Sequence, residues 1–123
     1  MPEIETTKEH FELFKTEFLK WQTLFELHEW NVSFHQEEYL DATAGLRCSH
    51  RNRKATAILM GHFNAYDTDN IDKLIKSAAQ HEALELLVAD VRDKAGQRYI
   101  LLDDIDKSIH ILIRKLQFIL KDM

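Results

Sequence analysis

The chain has a single cysteine, a single proline and three glycines in 123 residues, and each shortage removes a class of protein. With Cys48 alone there is no disulfide framework and no cysteine-based zinc site, so the seven histidines are the remaining soft ligands. So few glycines leave no material for a phosphate-cradling loop, and no Walker-type or dinucleotide fingerprint can be written. Basic charge is also short. Sixteen Lys and Arg stand against 21 Asp and Glu, a formal charge of −5, which argues against binding nucleic acid through its phosphates. No apolar run approaches the roughly 20 residues of a membrane span, and residues 1–9 are polar and acidic, unlike a signal peptide. The expectation is a soluble protein of a reducing compartment, the cytoplasm, with neither nucleic acid nor membrane as partner.

What is present is a globular composition, 45% hydrophobic and 10% aromatic, of a size that fits one domain over residues 1–123. Thr6 and Glu9 are spaced as a capping box at the start of a first helix. Phe11, Phe14, Phe18, Trp21 and Phe25 follow at steps of three and four, an aromatic stripe that reads as core rather than as a ligand groove. Trp30, Val32 and Phe34 alternate with polar residues as in a half-buried strand. Residues 42–61 read as a hairpin with its turn near Ser49–Arg53 and with Ala42, Ala44, Leu46 and Cys48 on one face. Arg47, Arg51, Arg53 and Lys54 make this the one basic locality, a solvated tip or a docking patch. Asp67, Thr68, Asp69 and Asn70 are candidate caps for a long helix that runs to about Ala95 and stops at Gly96. Gln97 to Leu102 is a connector, and a last helix starts at Asp103 and Asp104, with a core stripe of Ile105, Ile109, Leu112, Leu116 and Ile119. The predicted class is α+β: N-terminal helix, small three-stranded sheet with a hairpin, long motif helix and C-terminal helix.

The long helix carries the sharpest signal, His81-Glu82-Ala83-Leu84-Glu85. On a wheel at about 100° per residue, with Asp72 at zero, the core-facing arc of Ile71, Leu74, Ile75, Ala78 and Ala79 spans roughly 200–340°. His81, Glu82 and Glu85 fall at about 180, 280 and 220°, on or beside that arc. Burying such groups without partners is expensive, and a bound cation is one remedy. His81 and Glu85, four apart, point to one spot above the helix, with Glu82 on the adjoining edge. An ordinary i, i+4 charged pair is the plainer reading of the same two residues.

The spacing resembles the zinc-peptidase motif His-Glu-x-x-His, with Glu85 in the second histidine's place, and the predicted element order is similar to the minimal zincin core of small phage and prophage metallopeptidase-like proteins. The resemblance spans most of the chain in architecture but only a few residues in motif. It implies zinc held by His81, Glu85 and a third ligand, with Glu82 as general base. Two His plus one Glu is a known catalytic ligand set. His110, on the border of the last helix's stripe, is the candidate third ligand; Asp106 is its substitute, and Asp106 with His110 could equally be an ordinary pair. His62, beyond the third strand, could overlook the cleft, and Tyr66, Arg98 and Tyr99 could stabilise an oxyanion. His10, His28 and His35 read as surface residues, His50 as part of the hairpin tip, and Cys48 as a small apolar strand residue. Two functions stand open. One is a zinc-dependent hydrolase acting on a peptide or protein substrate held along a strand; the other is an inactive metallopeptidase-like binding or regulatory module. An α+β interaction protein without metal is a third.

Overall fold

The structure is a computed structural model, and it describes residues 3–38, 42–65, 69–97 and 101–120. Its described elements are β1 (Glu3–Glu5), α1 (Lys8–Leu24), β2 (Asn31–Glu37), β3 (Ala44–Ser49), β4 (Lys54–Met60), β5 (His62–Asn64), α2 (Ile71–Leu87), α3 (Ala89–Ala95) and α4 (Leu102–Leu120). This is the predicted α+β class. No helix among the described residues is long and apolar enough to cross a membrane.

Helix α1 forms where the aromatic stripe predicts it, but its cap is one residue later than expected. Thr7 accepts from His10 N–H at 3.2 Å while Thr7 N–H donates to His10 Nδ1 at 3.0 Å, a capping box of Thr7 and His10 in place of Thr6 and Glu9. The reason is that the sheet claims Thr6. Its N–H donates to Gly61 O, its buried hydroxyl reaches Met60 O at 2.9 Å, and Gln36 Nε2 donates to it at 2.6 Å. A buried hydroxyl with these partners is more strongly held than a solvated cap. Phe14, Phe18 and Phe25 are buried, and Phe11 and Trp21 pack against the same core. Leaving the helix, Glu26 takes a φ of 55°, and Gln22 Nε2 ties down the turn by donating to Leu27 O and Trp30 O.

The main sheet has the order β2-β4-β3. β4 pairs in parallel with β2, from Asn31↔Lys54 to Glu37↔Met60. It pairs antiparallel with β3, from Ala44↔Leu59 to Ser49↔Lys54, which is the predicted hairpin. As the central strand, β4 is buried from Ala57 to Met60, whereas β2 and β3 are only half-buried. A second, two-stranded sheet pairs β1 with β5 antiparallel, an element the sequence pattern does not announce. Its strands are three residues each, too short to display a period.

Helices α1 and α2 pack together on the main sheet, burying Ile75, Ala79, Ala83 and Leu86 of α2 against Phe14 and Phe18. Asn70 caps α2, accepting from Lys73 N–H at 3.3 Å. The predicted long helix is broken: α2 ends at Leu87, and α3 begins at Ala89 with Val88 between them at ψ 0°. Gly96 closes α3 as expected, though with a φ of −85° that any residue can adopt. α4 lies against α3, with Ser108 and Ile119 buried and Lys115 Nζ bridging to Glu29 at 3.0 Å.

Candidate functional site: a polar cleft between the edge strand and the motif helix

Because β3 pairs only with β4 among the described residues, its helix-facing side chains form one wall of an open cleft. Leu46 and Cys48 come from β3, His50 from the turn after it, Glu82 and Glu85 from α2, and Ala89 and Arg92 from α3. The space between them is about 240 Å³. Alternation along β3 puts positions 46, 48 and 50 on one side of the strand. The break at Val88 lets α3 curve round so that Arg92 closes the far end.

Glu82 is 94% buried, the complement of its 6% exposure, and its Oε2 has no hydrogen-bond partner. Burial pushes its carboxyl above the ordinary carboxylate range; nearby His81 opposes the shift and Glu85 adds to it. Across the cleft His50 Nδ1 is buried and likewise lacks a hydrogen bond. Glu82 Oε2 and His50 Nδ1 are the two buried side-chain polar atoms without a hydrogen bond among the described residues, and both belong to residues lining this cleft. His50 is held by its surroundings: Asp90 Oδ1 lies 3.5 Å from Nδ1, Asp93 Oδ1 lies 4.0 Å from Nε2, and the Trp30 ring stands edge-on at 5.5 Å. Arg53 secures that arrangement, bonding Asp90 at 2.6 Å and stacking over Trp30 at 4.9 Å. Burial raises the Cys48 thiol too, with Arg92 opposing and Asp90, Glu85 and Glu82 reinforcing it, so Cys48 stays a neutral thiol rather than a nucleophile.

The residues singled out from sequence are only partly brought together. Glu82 is where the wheel puts it, in the interior. His81 is not: its side chain is 70% exposed, standing 3.5 Å from Glu85 Oε1 as an i, i+4 pair. Glu85 is half-buried, and its other oxygen is held by Arg92 at 2.7 Å. His110 is exposed on α4, lining a separate surface hollow with Lys107, Ile111 and Arg114. Asp106 is exposed as well. Among the described residues no three His, Cys, Asp or Glu side chains stand close enough to hold a metal ion, so His81, Glu85 and His110 do not fit zinc as they are arranged. His62 pairs with Glu38 at 2.9 Å and is not part of the cleft wall. Tyr66, Arg98 and Tyr99 lie outside the described residues. His10 caps α1, and His28 and His35 are exposed.

Sequence reasoning missed Cys48, His50 and Arg92. The signal for the first two was available, since 46, 48 and 50 continue one face of the strand beyond the end of its apolar residues. Arg92 had none, because its place depends on the break at Val88. Comparison with protein-family models, with curated proteins and with solved structures returned no match to this chain.

Proposed function

We propose that the chain is a metallopeptidase-like binding module whose working surface is the cleft between β3 and the α2–α3 helices. The observation that carries this reading is Glu82, buried beside the cleft with an Oε2 that has no hydrogen-bond partner. Leaving such an atom unsatisfied costs about 1–3 kcal/mol, and a polar group entering the cleft would recover that. The partner class that fits is an extended peptide or protein segment. β3 has an edge for it to pair with, and the cleft beneath receives a polar side chain. The engagement of Glu85 by Arg92 favours a module over an enzyme, because the carboxylate a metal would need is already neutralised.

Zinc-dependent hydrolysis with Glu82 as general base is the second reading. It is favoured by the convergence of His81 Nε2 and Glu85 Oε1 beside a buried Glu82. It requires Glu85 to leave Arg92 and His110 to join them.

Metal analysis of protein purified without added zinc, followed by the Glu82→Gln variant, separates the two. One equivalent of zinc, lost in both His81→Ala and His110→Ala, would establish the metal site, and a hydrolysis abolished by Glu82→Gln with metal content and folding intact would then establish the hydrolase instead of the module. Panning a random pentapeptide library then tests the module directly. Bound peptides should be lost on Glu82→Ala and retained by His110→Ala, and binding indifferent to Glu82 overturns the proposal.

A further inference from the structure

The helix α4 buries one narrow stripe and leaves a second apolar stripe uncovered among the described residues. Toward the body face Ser108, Leu112, Lys115 and Ile119, of which Ser108 and Ile119 are buried. Beside them runs another row in which Leu102, Ile113 and Leu116 are exposed, at 72%, 43% and 36%, with Ile105 and Ile109 half-buried. A row of five large aliphatic residues at helical spacing is more than scattered surface hydrophobicity.

The row is symmetric in sequence. Ile105 and Ile113 lie four residues either side of Ile109, and Leu102 and Leu116 lie seven either side. A seam of that kind complements a reversed copy of itself, level by level, about Ile109. Four of the ionisable residues beside it are arranged antisymmetrically. With Ile109 at zero and about 100° per residue, Asp103, Asp106, His110 and Arg114 all fall on one flank, at roughly 60–140°. Of these four the acids precede Ile109 and the bases follow it, with Lys107 farther from the seam at about 160°.

We propose that this stripe is the contact surface for a second copy of the chain, two α4 helices packing antiparallel about a two-fold axis at Ile109. In that arrangement the same flank of each helix meets its copy, which sets Asp103 near Arg114 and Asp106 near His110 across the seam. A parallel pair would set this flank against the side of α4 that faces the body, where Lys115 is already held by Glu29, and would leave Asp103 and Arg114 without each other, so the charges favour the antiparallel register. The seam is about 21 Å long, shorter than a standard interface of about 800 Å² per partner needs, and the dimer is therefore reversible rather than obligate.

Sedimentation equilibrium over about 5–500 μM protein in low salt tests this directly. The apparent mass should rise from monomer toward dimer across that range. Ile113→Asp should hold the protein monomeric with an unchanged circular dichroism spectrum, since Ile113 is outside the buried stripe. Asp103→Arg should weaken association about tenfold, and adding Arg114→Asp in the same chain should restore it. The proposal is overturned if the wild-type chain stays monomeric at the highest concentration or if Ile113→Asp still associates. It is equally overturned if the double charge reversal weakens association further instead of restoring it.

Discussion

Glu82 is the residue on which the chemistry of the cleft turns, and its ionisation is coupled to folding. Its carboxyl is raised in the folded chain relative to an ordinary value of 4.5, chiefly by burial. Between the unfolded and the raised folded pKa the native state binds more protons than the unfolded state. The associated stability is therefore complete below the unfolded pKa and lost as pH rises through the folded one. Glu82→Gln removes the buried charge while keeping the shape, so thermal melts at pH 7 should show a Tm higher by about 3 °C. At pH 4 the same variant should match the parent. A lower Tm at pH 7 would mean that Glu82 has a partner in the folded chain. The position of Glu82 was legible in the sequence because it lies in the middle of the apolar arc of α2. His81 misled, because it falls on the arc's border. Which border residues turn inward depends on the neighbouring elements, and here only Ile75, Ala79, Glu82, Ala83, Leu86 and Leu87 are covered.

At the scale of elements, local signals were reliable where the competition was local. Of the four candidate caps Asp67 and Thr68 lie outside the described residues, and Asn70 accepts a backbone N–H of α2. Asn70→Ala should cost about 1 kcal/mol, read from the urea midpoint at constant m-value. Thr6 shows the opposite case. Its sequence position suits a cap, but Met60, Gly61 and Gln36 are 30 or more residues away and invisible to a local pattern. The small β1–β5 sheet is hidden for the same reason, since its pairing is fixed by the partner and not by any alternation of its own. The break at Val88 matters more for function than either, because it brings Arg92 to Glu85 and so decides what that carboxylate does.

For the molecule as a whole, one hydrophobic cluster joins α1, the main sheet, α2, α3 and Ile119 of α4. Phe18 is at its centre, fully buried and edge-on to Phe34 of β2 at 5.4 Å. Phe18→Ala should remove about 4 kcal/mol, a large part of the 5–15 kcal/mol typical of a domain, while Phe118→Ala at an exposed position should change stability by less than about 0.5 kcal/mol. Guanidinium unfolding of the two variants checks the contrast, and a small effect at Phe18 would displace it from the core. The sequence alone determined the aromatic spine of α1, the hairpin, the α+β class and the interior place of Glu82, because periodicity records which face each segment must bury. Only the tertiary structure decided that His81 faces water, that Arg92 holds Glu85, that His110 lines a different hollow, and that Cys48 and His50 join Glu82 around one cleft. Those outcomes depend on the angles at which elements meet, and no single segment's pattern of burial encodes an angle to its neighbour.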